Sequence, residues 1–455
     1  MKKSLTLILL SLPTALCAQG PEVTSWLFNT TGIKASHYVQ GNSNAVQDND
    51  SANVQSALYS SNWVYVRTKG LPSYTTGPFL DGNPSLATNQ NAIFKISRNP
   101  VQNTGTPTAT TGGNIGIFVN GVALFDYRDG VAWNTSTNSL CGGPGNPPCP
   151  GGPTATMSWN RDAIPAERIG FDCSKGHPAM GNYHHHQNPS AFKLDLNVIS
   201  TICNLYDADG LYSIDSTQHS PLIGYAYDGF PIYGAYGYYD VNGTGGIVRM
   251  KSGYHLRNIT VRNTSPTGQS VSAGPNVSTT YPLGYFREDY EYIAGSTPDV
   301  LDVHNGRFCV TPEYPNGTYA YFATVDANWN SAYPYVVGPT FYGTKTGAKV
   351  TSITEPVTLY NPNTSGIASP TFNEDAVQVF PNPTADFIAV QIPGLNRNAT
   401  TIELLDLSGR VIKSSSINPG STISWVDIRT LYSGSYVVRI VSGSAVISKP
   451  VVVKR

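Results

Sequence analysis

Apolar residues in this chain come in short aromatic and β-branched runs, set apart by Gly- and Asn-rich turns. NWVYVRT at 62–68, AIFKIS at 92–97 and IGIFVNGVALFDY at 115–127 are three of them, and each has the length and side-chain type of a strand. The last reads as a hairpin, with Asn120-Gly121 as a two-residue turn. From 376 onward the runs are FIAVQI, TIELLDL, RVIKSSS, STISWVDI, GSYVVRIVSG and ISKPVVVKR, broken by Pro-Asn-Pro, Ser408-Gly409 and Ser433-Gly434. Short strands at this spacing predict a small Ig-like β-sandwich. Between the two regions lies TGAKVTSITEPVTLYNPNTSGIASPTFNED, 346–375, which has no sustained apolar period and reads as a linker. The expectation is an all-β protein, with a large β-rich domain over 19–345 and a sandwich over 376–455.

Composition agrees with that pattern. Gly (44) and Tyr (28) are abundant, charged residues make up only 13%, and good helix formers are few. The formal net charge of −1 gives no reason to expect nucleic acid or anionic lipid as a partner. Met1-Lys2-Lys3, an apolar stretch from Ser4 to Leu12, Pro13 and Ala15-Leu16-Cys17-Ala18 read as a secretory signal peptide over 1–18, with Gln19 as mature start. Lipidation at Cys17 is disfavoured by the bulk of Leu16. No later stretch reaches the roughly 20 apolar residues of a transmembrane helix.

Export makes disulfides plausible. Cys141 and Cys149 flank the Gly/Pro loop CGGPGNPPCP and form the expected pair. Cys173 with Cys203 is a second option, which leaves Cys309 as the odd thiol.

The chemistry concentrates in GHPAMGNYHHHQNP, in a chain with eight histidines. On an extended backbone His184 and His186 share one face, while Tyr183 and His185 take the other. Two imidazoles side by side suit two ligands of one ion, with zinc or copper expected. His177, His219 and His304 each sit beside turn residues and are candidates to complete the set. Met180 lies between His177 and His184, where a thioether favours copper. A second cluster, YFREDYEY and LDVHNGRF, offers Glu288, Asp289 and Asp302 as carboxylate partners for an imidazole. In IGYAYDGFPIYGAYGY, Asp228 is a candidate ligand or base, and Asp228-Gly229 is a turn signal. Asp228, Glu288 and Asp289 are thus the catalytic candidates. Their structural counterparts are an aromatic hairpin and a charged strand face.

Three segments in order, FDCSKGHPAMGNYHHHQNPSAF, HSPLIGYAYDGFPIYGAYGY and YFREDYEYIAGSTPDVLDVHNGRFCVTPEYPNGTYAYFATVD, resemble the YHYH domain family over about 170–343. His185 stands where the namesake tract has Tyr, and the first and last histidines are kept. The resemblance implies a secreted bacterial protein with a shared site, and no particular reaction. VFPNPTADFIAV, LLDLSGRVI, WVDIRTLYSGSYVVRI and the closing Lys-Arg resemble the C-terminal sorting domain of the type IX secretion system of Bacteroidota. That resemblance implies the type IX machinery as partner and a secreted or cell-surface location.

Two function classes follow. One is a metal-binding protein, extending to a metalloenzyme if the ion keeps an open position for water or redox chemistry. The other is an adhesion module in which Tyr, Asn and Gly contact surface polysaccharide and the histidines are structural. A metal-free hydrolase with a His–Asp pair is a weaker third, since no G-x-S-x-G elbow, H-E-x-x-H helix or phosphate loop is present.

Overall fold

The computed structural model describes residues 19–42, 44–80, 86–143, 145–151, 157–190, 212, 214–362, 377–391, 400–417, 423–442 and 445–455. The signal-peptide reading of 1–18 and the partner proposed for Cys173, Cys203, lie outside these residues. Among them, helix is limited to single turns, including α1 (Pro21–Thr24) and α2 (Ala163–Glu167), and the regular structure is otherwise β. The chain divides into two compact units. One runs from Gln19 to Pro362, and the other contains Asn363–Arg455.

In chain order, the strands that build the first unit's two main sheets are β1 (Val54–Tyr59), β2 (Trp63–Thr68), β3 (Ala92–Ser97), β4 (Asn114–Phe118), β5 (Ala123–Phe125), β6 (Gly176–Ala179) and β7 (Asn182–His185). They continue with β8 (Leu222–Ala226), β9 (Pro231–Tyr233), β10 (Gly306–Cys309), β11 (Thr318–Phe322), β12 (Ala348–Val350) and β13 (Thr358–Leu359). One sheet has five strands in the order β12-β3-β2-β1-β13, and the other has eight in the order β6-β7-β5-β4-β8-β9-β11-β10. Val64, Val66, Phe94 and Ile96 of the first sheet share one buried core with Ile117, Tyr225, Ile232 and Tyr321 of the second. β3 alternates buried and half-buried residues, whereas β8 is buried at every position. The alternating strand has one face on the core and the other is covered on both.

Two expectations need correcting. The hairpin at 115–127 forms, with Ile117 opposite Ala123, but Asn120-Gly121 is not its two-residue turn. The Gly121 N–H donates to the Phe118 carbonyl (2.9 Å) and the Phe118 N–H to the Val122 carbonyl (2.8 Å). The turn therefore centres on Val119 and Asn120, and Gly121 (φ 84°) follows as a left-handed bulge residue. Only glycine fits there, because a Cβ would lie 2.4 Å from Thr68 Oγ1. Secondly, the stretch read as a linker begins as part of the sheet. β12 pairs with β3 and β13 with β1. Glu355 accepts hydrogen bonds from Tyr65 (2.6 Å) and Ser60 (3.2 Å). Residues 363–376 are outside the described residues.

The second unit has a three-stranded sheet, with Phe387–Gln391 between Gln378–Phe380 and Ile423–Asp427. Its four-stranded sheet has Thr400–Leu405 and Gly434–Ser442 at the centre, flanked by Val411–Ile417 and Ala445–Val453. Ile388, Val390, Ile402, Leu404, Val438 and Ile440 are buried together. Along Thr400–Leu405, buried Thr400, Ile402 and Leu404 alternate with half-buried Thr401 and Glu403, as in the small sandwich the sequence pattern predicts.

Candidate metal centre

The histidine tract lies on β7, which pairs antiparallel with β6 and parallel with β5. Met180 (φ 49°) and Gly181 (φ 81°) form the two-residue link between β6 and β7, the left-handed pair of a type I′ turn. That turn fixes the register, with Ala179 opposite Asn182, Pro178 opposite Tyr183 and His177 opposite His184. His177 and His184 are therefore cross-strand neighbours on one face. His186, two residues after His184, joins them.

The three imidazoles are buried and converge through Nε2. His184 Nε2 is 3.0 Å from His186 Nε2, which is 3.4 Å from His177 Nε2. His184 Nδ1 lies 2.8 Å from the Asn182 carbonyl, and His186 Nδ1 lies 2.6 Å from the Asp126 carbonyl. A carbonyl only accepts, so both Nδ1 atoms carry their hydrogens and, in the neutral rings, both Nε2 atoms are lone pairs. Two facing lone pairs cannot bond each other. A cation between them resolves the contact, either a proton on His186 or a metal ion shared by all three. Four ligands on an ion with bonds of about 2.0–2.1 Å lie about 3.3 Å apart at tetrahedral corners. The two contacts of His186, at 3.0 and 3.4 Å, are close to that spacing, and all three ligand atoms lie within 4.8 Å of one another. Phe125 stacks on His184 at 3.8 Å and Phe171 meets His177 edge-on at 5.0 Å, giving the rings apolar walls.

Glu167, at the end of α2, reaches the same centre. Its Oε2 is 3.2 Å from both His177 Nε2 and His186 Nε2. Burial works against its ionisation, but the two imidazoles outweigh burial and hold its carboxyl well below the usual range. Burial and the neighbouring imidazoles push His184 well below its ordinary value. For His186 burial acts in the same direction, and the Glu167 carboxylate overcomes it and raises the ring.

The opposite face of the tract has a separate role. Tyr183 donates to Asp172 Oδ2 (2.8 Å) and His185 Nε2 meets the Tyr74 hydroxyl at 2.9 Å. Burial pushes His185 down to about 3. A Cβ at Gly176 would lie 2.4 Å from the Tyr183 hydroxyl and 2.9 Å from the His185 ring, so the glycine lets both rings sit against the backbone. His185 is a neutral core residue on this side.

The other candidates are placed elsewhere. His219 and His304 do not belong to the cluster. His219 Nδ1 meets the Ser220 carbonyl (2.7 Å) among Tyr233, Tyr238 and Phe322, and His304 Nδ1 meets the Thr340 hydroxyl (2.7 Å). Both are beside turns, as expected, but those turns open on other parts of the fold. Met180 is 96% exposed at the hairpin tip and turns away from the centre, because a type I′ turn points its first residue outward. The carboxylates each have hydrogen-bond partners within the fold. Asp228 accepts from the Tyr321 hydroxyl (2.6 Å) and the Gly343 N–H (2.8 Å). Glu288 accepts from the Asn160 backbone and side chain, and Asp289 takes both arms of buried Arg262 at 2.7 and 2.8 Å. Asp302 accepts from the Tyr319 hydroxyl (2.8 Å). Cys141 and Cys149 are disulfide-bonded, with Cα atoms 4.8 Å apart, and Cys309 is a buried free thiol.

An all-β body with a buried three-histidine group on a strand hairpin, followed by a small sandwich, is the class that these observations define. Residues 93–334 match the family model described as YHYH protein, and residues 378–454 match that of the secretion system C-terminal sorting domain. The first match covers more than half of the chain, which therefore belongs to the YHYH family. It begins before β4 and β5 and so takes in the strands that flank the tract, as well as Glu167. The sorting domain makes the protein a secreted or cell-surface one and implies the type IX secretion machinery. No curated protein matches the chain. Among solved structures, it resembles a duf3244-family protein with an immunoglobulin-like β-sandwich fold from Bacteroides vulgatus, at 17% identity over 18% of this chain and 89% of that one, with a TM-score of 0.16. It also resembles CopC from Methylosinus trichosporium OB3b, at 15% identity over 17% and 93%, with a TM-score of 0.14. Neither likeness bears on function. Among the described residues no helix is long and apolar enough to cross a membrane.

Proposed function

We propose that this protein is a secreted, surface-exposed metal-binding protein whose centre is His177, His184 and His186, with zinc or copper as the ion. The observation that carries this is the convergence of three buried Nε2 atoms, two of them fixed as lone pairs by carbonyls on their far nitrogens. Building such a contact without a cation leaves facing lone pairs in a desolvated pocket, which costs stability. Carbonyl-oriented imidazoles are the usual support for bound metal. The rival reading, an adhesion module with structural histidines, puts no ion here.

Elemental analysis of untagged protein prepared without chelators tests it, alongside single His177→Ala, His184→Ala, His186→Ala and His185→Gln variants. The parent and His185→Gln should carry about one equivalent of metal each, and the three alanine variants should lose most of it. Affinity should also fall as pH drops, beginning as His186, whose ring is raised above the ordinary imidazole value, takes up a proton, because a protonated ring cannot ligate. A metal-free parent, or equal retention in all four variants, would overturn the reading.

A further inference from the structure

We infer that Glu167 is the fourth ligand of this centre and that it makes the site favour a divalent ion over copper(I). This rests on the metal-binding proposal and adds a residue that sequence patterns do not reveal.

Local structure puts Glu167 there. Asp162 caps α2 by accepting the Ile164 N–H at 2.9 Å, which satisfies a free donor at the helix start. A single turn then carries the chain from Ala163 to Glu167 and ends with the carboxylate at the histidines. Oε2 is 3.2 Å from two of the three Nε2 atoms, again about the 3.3 Å edge of a tetrahedral site. Oε2 is itself buried, yet no N–H meets it in hydrogen-bonding geometry. A buried carboxylate oxygen whose neighbours are two imidazole nitrogens at 3.2 Å, out of hydrogen-bond line, is incompletely satisfied. A shared ion gives that oxygen a partner and removes the clash of imidazole lone pairs.

The donor set also discriminates between ions. Three neutral imidazoles and one carboxylate leave a divalent ion with one net charge to bury. The carboxylate is a hard donor that suits divalent zinc or cobalt, whereas copper(I) is selected by thiolate and thioether sulfur. Met180, the thioether inside the tract, is exposed, and Cys173, upstream of it, is disulfide-bonded. The Glu167 side chain is 25% exposed while the histidines are buried. An ion or small molecule therefore meets the carboxylate before the imidazoles, and Glu167 is the ligand most easily displaced.

Cobalt(II) serves as the probe, titrated into the full mature chain and into Glu167→Gln and Glu167→Asp variants, with zinc(II) and ascorbate-maintained copper(I) measured by chelator competition. Parent protein should show the intense visible bands of four-coordinate cobalt. Glu167→Gln should shift those bands and weaken cobalt and zinc binding by more than the roughly 10–100-fold cost of losing an outer-shell partner. Its copper(I) affinity should change by less than about threefold. Far-UV circular dichroism checks folding, and if the Gln variant is misfolded the charge-keeping Asp variant gives the same comparison through its displaced oxygen. A cobalt spectrum and divalent affinity unchanged from the parent would remove Glu167 from the coordination sphere. Equal losses for copper(I) and zinc(II) would end the selectivity claim. A parent that binds none of the three ions is a different outcome, and sinks the metal centre itself.

Discussion

Asp228 is fully buried and accepts hydrogen bonds at both oxygens, yet burial pushes its carboxyl up to about 6 from an ordinary 3.8. A carboxyl whose value is higher folded than unfolded contributes stability that is complete below the unfolded value and lost as pH rises through the folded one. The window here runs from 3.8 to about 6. Asp228→Asn keeps an acceptor and removes the titration. Relative to that variant, the parent should lose on the order of 3 kcal/mol between about pH 4 and pH 7, read from urea midpoints; a difference that does not vary with pH would refute this. At the same scale, the tract shows which residues the sequence made legible. His184 and His186 were separable from His185 because strand alternation needs only a count of two. Glu167 was not, because an isolated glutamate after Asp162 carries no local signal, and only the tertiary fold brings its carboxylate to His177 and His186. His219 and His304 shared the turn-flanking position of His177 and lacked its register, so residue type and neighbours could not tell them apart.

The register belongs to the β6–β7 hairpin. Reading Met180-Gly181 as the turn would have placed His177 opposite His184 by arithmetic on the sequence alone. Met is a poor residue for a left-handed φ, and that hid the signal. Type I′ turns favour Asn-Gly because Asn tolerates the left-handed region. Met180→Asn should therefore stabilise the protein by about 0.5–1 kcal/mol, raising the melting temperature by about 1–3 °C. Metal content should stay the same, because Met180 is exposed and away from the donors. Loss of metal in this variant would restore the thioether to the site. Gly181→Ala should act in the opposite sense, since φ is 81° and a Cβ would lie 2.1 Å from Thr88 Oγ1. The 115–127 hairpin shows the same limit on reading turns: the strands were legible, but Asn120-Gly121 suits a two-residue turn as well as the bulge that Gly121 (φ 84°) occupies.

At the scale of the molecule, the β content and the two compact units follow from short strands and a change in composition, but the end of the first unit does not. Residues 346–362 look like linker because their strands are only two or three residues long and their side chains are largely polar. The backbone nevertheless closes both edges of the five-stranded sheet, through Ala348 opposite Lys95 and Thr358 opposite Tyr59. The Thr346 and Gly347 N–H groups donate to the Tyr227 carbonyl at 3.1 and 2.6 Å, and Glu355 binds Tyr65. A chain covering 19–362 should therefore fold as the full protein's first unit does, with the same urea midpoint for that transition and the same metal content. A chain covering 19–345 loses those bonds and exposes two strand edges. At about 1 kcal/mol for each hydrogen bond lost, it should be destabilised by at least about 3 kcal/mol and aggregate through the open edges. In the producing cell, a chain covering 1–362 keeps the segment read as the signal peptide but lacks the sorting domain at 378–454, and it should accumulate folded and metal-loaded in the periplasm. Fractionation and elemental analysis read both properties. Equal stability of the two truncations would show that residues 346–362 are a linker after all, and surface display of the tail-less chain would show that the first unit carries its own export signal.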